Sequence, residues 1–241
     1  MEWLAGTSGY SYKEWKGSFY PEKIKPDAML GWYATQLPAV EINNTFYRMP
    51  ARRTLETWRD AVPEHFRFSI KAPRSISHKA RLHDCEDATS YLADKVRTLG
   101  DKLGCVLFQL PPYVRKDAGL LDAFLGTWPK ELPVALEFRH RSWFDEEIAE
   151  TLGRHVAAIC VSEDGKLDLP TFFATTDWTY FRLRKQDYDD AALALWRARG
   201  EQSGAGRGLA FFKHEDEGAG PALAKRFLGI EPARQDEGAP C

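Results

Sequence analysis

Short apolar runs, rich in β-branched and aromatic residues, recur along the chain, and most are followed by a segment with helical spacing of apolar positions. The runs predict eight strands, over residues 3–7, 39–43, 67–71, 105–110, 134–138, 156–161, 179–183 and 209–213. The helical segments cover residues 28–37, 52–61, 88–103, 118–128, 145–154, 191–199 and 221–228. After the sixth strand, the segment LDLPTFFATTD is too short and too Thr-rich to predict a helix.

This alternation of strand and helix predicts parallel strands joined by right-handed crossovers. Eight such units in a chain of 241 residues fit a single-domain (β/α)₈ TIM-type barrel over residues 1–230, with an eroded sixth helix. A doubly wound open sheet is the alternative, because a sequence does not display closure. The GTSGY segment after the first strand lacks the G-x-G-x-x-G spacing of a dinucleotide site. We expect the polar tail, residues 231–241, to be disordered.

Composition narrows the class of protein. With 44% hydrophobic residues the chain can bury a large core, and its 33 basic and 35 acidic residues nearly cancel. A whole-molecule field that attracts nucleic acid or anionic membrane is therefore absent, and any basic site must be local. No apolar run reaches the roughly 18 residues of a membrane span, and the first residues, MEWLAGTSGY, do not show the basic region and long apolar run that are typical of a secretory signal. We therefore expect a cytoplasmic protein without a membrane partner, and the oligomeric state stays open.

Polar residues gather at the carboxyl ends of the predicted strands, which form the active-site face of a TIM-type barrel. They are Thr7, Ser8, Glu41, Asn43, Lys71, Gln109, Glu137, Arg139, His140, Ser162, Asp164, Arg182, Arg184, Lys213 and His214. Residues two apart on a strand share a face, so three polar pairs should point into the barrel mouth: Glu41 with Asn43, Glu137 with Arg139, and Arg182 with Arg184. The alternative is an internal salt-bridge network that only closes the top of the barrel.

Six motifs carry a family resemblance: GTSGYSYKEWKGSFYP, VEINNTFYRMP, FRFSIKAPRSISH, LGCVLFQLPP, ALEFRHRSW and TYFRLR. Together they resemble the YecE-like proteins, domain-of-unknown-function family 72, over nearly all of residues 4–215. The resemblance implies a TIM-barrel-like fold with a polar pocket at its mouth, and it implies no established reaction. The chain departs from the family pattern at Tyr10, where Trp is usual, at Arg184, where His is common, and in the FFKHED segment from Phe211.

The types of residue at the mouth indicate an anionic ligand. Lys71, Arg139 and Arg182 outnumber the two strand-borne carboxylates, and guanidinium groups bind phosphate or carboxylate with two parallel hydrogen bonds. Aromatic residues on the loops after strands one, two and five offer platforms for a base or a sugar, although Phe19 and Tyr20 could instead form a small core under the first loop. The predicted substrate-binding residues are Asn43, Lys71, Gln109, Arg139, Arg182, Tyr12, Trp15, Tyr47, Trp143 and Asp164.

The leading hypothesis is an enzyme that acts on a nucleotide, nucleic acid or sugar phosphate by hydrolytic or acid/base chemistry. Glu41 or Glu137 would be the general base or a metal ligand, and His140 or His78 the acid or a ligand. The cofactor stays open: a divalent metal is compatible with these side chains, but no H-x-H or H-E-x-x-H motif indicates one.

Two alternatives remain at this point. A glycosidase-like hydrolase would use the two glutamates as its carboxylate pair, and finding both carboxylates clamped by arginines would remove it. A non-catalytic module would bind nucleic acid or a phosphorylated metabolite in the same mouth.

Overall fold

The computed structural model describes residues 1–163, 168–172, 174–185, 187–213 and 218–229. Eight parallel strands close into a barrel in sequence order, with β8 hydrogen-bonded to β1. The strands are β1 (Glu2–Ser8), β2 (Ala39–Ile42), β3 (Arg67–Lys71), β4 (Leu103–Gln109), β5 (Val134–Glu137), β6 (Ala158–Glu163), β7 (Trp178–Leu183) and β8 (Arg207–Phe212). The (β/α)₈ prediction is confirmed, and the open sheet is excluded by closure.

Seven α-helices in the described residues surround the barrel. They are α1 (Met29–Ala34), α2 (Arg52–Asp60), α3 (Glu86–Val96), α4 (Ala118–Thr127), α5 (Glu146–Arg154), α6 (Asp190–Gln202) and α7 (Ala219–Gly229). Between β6 and β7 the described residues carry no helix, in agreement with the eroded sixth helix. None of the described helices has the length and apolarity that a membrane crossing requires. The predicted tail, residues 231–241, lies outside the described residues.

Several predicted boundaries shift by a few residues, and two of these shifts coincide with a residue of positive φ. The helix expected over 88–103 stops at Val96 and continues as 3₁₀ turns in which Gly100 has φ +56°, so β4 begins at Leu103. The strand expected from residue 156 begins instead at Ala158, because Val156 has φ +54° and lies exposed in the turn after α5. The spacing of apolar residues in the sequence does not indicate either of these positive φ angles.

Alternation along each strand separates two apolar layers. Val40 and Ile42 pack outward with the helices, whereas Ala39 belongs to the cluster inside the barrel. The other members of that inner cluster are Leu4, Cys105, Leu107, Ala135, Ala158, Cys160, Trp178, Tyr180, Leu209 and Phe211. On several strands, one further period of two reaches a polar residue at the carboxyl end, as in Glu41 after Ala39 and Glu137 after Ala135. The barrel is therefore apolar in its lower layers and charged in its top layer.

Close approach of the first two strands depends on a glycine. A Cβ atom on Gly6 would lie 1.8 Å from the carbonyl oxygen of Ala39. Beside it, the Tyr33 hydroxyl accepts a hydrogen bond from the Thr7 amide and donates one to the Ala39 carbonyl, each at 2.9 Å. The helix α1 is thereby tied to the seam between β1 and β2.

Candidate functional site

A buried charge cluster forms the floor of the barrel mouth. The guanidinium of Arg182, on β7, donates from Nη2 to Glu41 Oε1 at 2.8 Å and from Nη1 to Glu137 Oε2 at 2.5 Å. The two glutamates lie on β2 and β5 and are 0% exposed, and Arg182 is 1% exposed. One cation therefore joins three strands that are far apart in sequence.

Neutral donors complete the shell of Glu41. Its Oε1 atom accepts from Ser8 Oγ at 2.8 Å and from Asn43 Nδ2 at 2.9 Å, and its Oε2 atom accepts from the Tyr180 hydroxyl at 2.7 Å. With Arg182, the carboxylate accepts four hydrogen bonds. A carboxylate has about four lone-pair sites, so its acceptor capacity is filled.

The second glutamate, Glu137, also accepts several hydrogen bonds, but two of its donors are arginines rather than one. Glu137 accepts from Arg139 Nε at 2.9 Å and from Gln109 Nε2 at 2.7 Å, in addition to Arg182. Gln109 in turn accepts from Lys71 Nζ at 2.9 Å through its Oε1 atom. The Gln109 side chain thus links Glu137 to Lys71, on β3, through two hydrogen bonds.

The protonation state of both carboxylates follows from these contacts. Burial alone raises the pKa of Glu41, but the charge and hydrogen bonds of Arg182 outweigh it and lower the pKa to about 2. Burial likewise opposes ionisation of Glu137, and the charges of Arg182 and Arg139 overcome it, so its pKa also lies well below the usual range. Both glutamates therefore stay ionised near neutral pH, and neither is suited to act as a general acid.

Above this floor opens a cavity of about 450 Å³. Its described lining consists of Ser8, Tyr12, Asn43, Phe46, Tyr47, Lys71, His78, Gln109, Arg139, Arg182, Arg184 and Lys213. Five of these twelve residues are Lys or Arg, and none is Asp or Glu. The two carboxylates beneath are already bonded to arginine, so the described part of the mouth presents an excess of positive charge.

Arg184 is the least compensated of the cations in the mouth. Within the described residues its guanidinium makes no hydrogen bond or ion pair, and its Nε atom is buried without a partner. Burial, together with the neighbouring charge of Arg182, lowers the pKa of Arg184. Arg184 is half-buried, and a buried Nε–H without an acceptor is unfavourable, so this side chain is a candidate for ligand contact.

Lys71 and His78 form a second pair of titratable groups in the mouth. The Lys71 ammonium lies 4.4 Å from the centroid of the Phe46 ring, and the His78 imidazole packs edge-on against the same ring. Burial and the charge of Arg182 lower the pKa of Lys71 to about 8. Burial and the charge of Lys71 lower the pKa of His78, which favours a neutral imidazole. These two groups are suited to proton transfer near neutral pH.

Most predicted site residues are brought together. The charge cluster or the mouth lining contains Glu41, Asn43, Lys71, Gln109, Glu137, Arg139, Arg182, Tyr12, Tyr47 and His78. Tyr12 is fixed by a hydrogen bond from its hydroxyl to the Ser8 carbonyl at 2.7 Å, and Tyr47 is 75% exposed at the rim. Asp164 lies outside the described residues.

Two predicted aromatic platforms are wrong, because the structure buries them. Trp15 is 0% exposed and packs within the first loop against Phe19 and Tyr20, so the small-core alternative applies there. Trp143 is 1% exposed and stacks on Phe138 with ring centroids 4.5 Å apart. A large apolar ring on a rim loop gains more free energy by packing inward than by facing water.

His140 is also placed away from the mouth. Its Nδ1 atom accepts a hydrogen bond from the Ser142 amide at 3.2 Å and lies 2.8 Å from Ser142 Oγ, so the ring caps the 3₁₀ turn Arg141–Trp143. Polar side chains commonly satisfy such free amides. The prediction of a mouth histidine is therefore corrected for His140, and of the two predicted histidines it is His78 that reaches the cavity.

Five contributing residues are absent from the predicted catalytic and substrate-binding residues: Ser8, Phe46, Tyr180, Arg184 and Lys213. The sequence pattern does place Ser8, Arg184 and Lys213 among the polar strand ends, and alternation also carries a signal for Tyr180, which lies one period of two before Arg182. In the part of the chain that the structure describes, no three or more His, Cys, Asp or Glu side chains are grouped to hold a metal ion.

Two curated proteins are similar to this chain in sequence. The chain is 32% identical over 124 residues to the UPF0759 protein YecE of Escherichia coli K12, and over 143 residues to the UPF0759 protein YunF of Bacillus subtilis 168. These alignments cover 51% and 55% of this chain and 46% and 50% of the relatives, so the chain spans about half the length of the curated relatives it matches.

Solved structures extend the likeness to nearly the whole chain. A DUF72 family protein from Thermotoga maritima MSB8 superposes with a TM-score of 0.78 at 26% identity, covering 95% of this chain and 99% of the other. One from Enterococcus faecalis V583 gives 0.76 at 18% identity, with 95% and 98% covered, and shows the shared fold alone. The family model described as "Protein of unknown function DUF72" matches residues 4–237, and the chain therefore belongs to this family.

Proposed function

We propose that the barrel mouth binds a phosphate-containing ligand, such as a nucleotide, a nucleic acid or a sugar phosphate. The observation that carries the proposal is Arg184, a half-buried arginine that lines the cavity, whose Nε atom is buried without an acceptor among the described residues. A phosphate group supplies the missing acceptors in the geometry that a guanidinium prefers.

Charge in the mouth supports the same ligand class. Lys71, Arg139, Arg184 and Lys213 line the cavity together with Arg182, whose charge is already shared by two glutamates. Like charges held close together repel, and a bound anion relieves that repulsion. Because the molecule as a whole is nearly neutral, the attraction is local to the mouth and should weaken with added salt.

The proposed reaction class is acid/base chemistry, with roles that differ from the first expectation. Lys71, whose pKa is lowered to about 8, and His78, whose pKa burial and the charge of Lys71 lower so that the neutral imidazole is favoured, both line the cavity. Glu41 and Glu137 instead hold Arg182 and Arg139 in position. This assignment also argues against the glycosidase-like alternative, which requires one carboxylate that can give up a proton.

The direct test is the variant Arg184→Met, titrated calorimetrically with inorganic phosphate, AMP and ribose 5-phosphate. Loss of a charge-assisted hydrogen bond worth about 1.5–3 kcal/mol should weaken binding by roughly 10- to 150-fold. Arg141→Met is the matched control, because Arg141 is an exposed arginine on the same rim outside the cavity lining. Equal affinity of the Arg184→Met variant and the wild type for all three ligands would sink the proposal.

A non-catalytic binding module is the second candidate, and the ion pairs that keep both glutamates ionised favour it. The enzyme would convert the ligand, whereas the binding module would leave it unchanged. If the mouth is catalytic, ³¹P NMR of each bound ligand over a day at neutral pH should show a new resonance. The Lys71→Gln variant should slow the appearance of that resonance. An unchanged spectrum across the ligands that bind would favour the module.

A further inference from the structure

Lys71 occupies an unusual position for a lysine in an anion-binding site. Its Nζ atom reaches the cavity from the carboxyl end of β3, below the face of Phe46. Among the described residues its hydrogen-bond partner is the neutral Oε1 atom of Gln109, at 2.9 Å, and no carboxylate lies within ion-pair distance. The lysine is thus surrounded by cations and bonded to an amide.

Such surroundings favour a free amine. An amide oxygen accepts a hydrogen bond from an ammonium or an amine, so loss of the proton leaves the contact with Gln109 intact. The two nearby carboxylates are bonded to arginines, Glu41 to Arg182 and Glu137 to Arg182 and Arg139, and neither pairs directly with Lys71. With a pKa of about 8, roughly one-tenth of the lysine is neutral at pH 7.

We propose that Lys71 is an amine nucleophile that forms an imine with the aldehyde or ketone group of a phosphate-bearing substrate. The proposal rests on the proposed function for its phosphate anchors, Arg184 and Arg139, which line the same cavity of about 450 Å³. Lysine amines in desolvated, cationic surroundings are the side chains that carry out this reaction in proteins.

The step balances without any further reagent. The lone pair of Nζ attacks the carbonyl carbon, the π electrons move to oxygen, and one proton passes from the nitrogen to that oxygen to give a neutral carbinolamine. The nitrogen lone pair then forms the C=N bond as the hydroxyl group takes up a proton and leaves as water, and loss of the remaining N–H proton leaves the neutral imine. His78 is placed to move these protons, because its imidazole lines the same cavity and packs on the ring that covers Lys71.

An ammonium that only attracts the phosphate would share the position of Lys71 but not its reactivity. The variant Lys71→Arg keeps the positive charge and removes the nucleophile, so it separates the two roles. Lys79→Arg is the matched control, because Lys79 is exposed and lies outside the cavity lining.

The test treats the full chain with glyceraldehyde 3-phosphate and sodium cyanoborohydride, which reduces an imine to a stable secondary amine. Peptide mass mapping should place a single dominant adduct on Lys71 in the wild type and in Lys79→Arg, and none at residue 71 in Lys71→Arg. The rate of adduct formation should rise with pH through about 8, as the amine is released. Excess inorganic phosphate should slow it.

Each outcome bears on one of the two proposals. Adducts spread evenly over surface lysines, without enrichment at Lys71, overturn the imine while leaving phosphate binding in place. Trapping at Lys71 that is equally fast with unphosphorylated glyceraldehyde, and insensitive to phosphate, supports the imine and argues against the phosphate anchors. Selective trapping by the phosphorylated aldehyde supports both.

Discussion

Replacement of Arg182 by methionine should be among the most destabilising single changes in the barrel. The substitution fills similar volume but leaves Glu41, at 0% exposure, with only the neutral donors Ser8, Asn43 and Tyr180. Glu137 is less affected, because Arg139 still pairs with it. Removal of one partner from a buried ion pair costs about 3–5 kcal/mol, and we expect a loss of that size in the free energy of unfolding.

Urea denaturation at pH 7, followed by circular dichroism, measures this loss. Arg182→Lys should be intermediate, since it keeps the charge but not the two-pronged geometry, and it reports on the cluster if Arg182→Met does not fold. Addition of Glu41→Gln to Arg182→Met should recover part of the loss, because the stranded charge is removed. Arg59→Met is the control, because the pair of Arg59 with Asp60 lies at the surface.

Acidification provides a second readout of the same reasoning. A carboxylate stranded by Arg182→Met has a raised pKa and can take up a proton, so the gap in stability between variant and wild type should narrow as the pH falls from 7. A loss below about 1 kcal/mol at pH 7, or a gap that does not change with pH, would refute the view that Arg182 neutralises two buried carboxylates.

Further predictions concern pH, packing and the ligand site. Because the folded pKa of Glu41 is about 2 and its usual value is 4.5, its stabilising contribution is present above about pH 4.5 and is lost as the pH falls toward 2; Glu41→Gln should flatten acid denaturation in that window. Gly6→Ala should lower stability by about 1–3 kcal/mol in urea melts, since its Cβ would meet the Ala39 carbonyl, whereas Gly119→Ala, in helix α4, should be neutral or stabilising. Arg184→Met should leave the melting temperature unchanged or raise it, because a desolvated cation is removed; a clear decrease would assign Arg184 a structural role.

The amino-acid sequence determined the fold class and the inward face of each strand. Strands with alternating Val40, Glu41 and Ile42, or Leu136 and Glu137, fix which side chains share a face, because that period is a property of the extended backbone itself. The repeated alternation of strand and helix, which is also visible in the local pattern of apolar residues, predicted the barrel. The charged top layer could therefore be anticipated from polar residues at strand ends.

Only the tertiary structure decided which of these residues meet. Arg182 reaches Glu41 across 141 positions of the sequence, a pairing set by closure and stagger of the barrel rather than by any local pattern. The same holds for the rim: Trp143 turns inward onto Phe138, His140 caps its own loop, and Arg184 is left facing the cavity without an acceptor among the described residues. Contacts between distant segments depend on packing in three dimensions, and local periodicity carries no information about them.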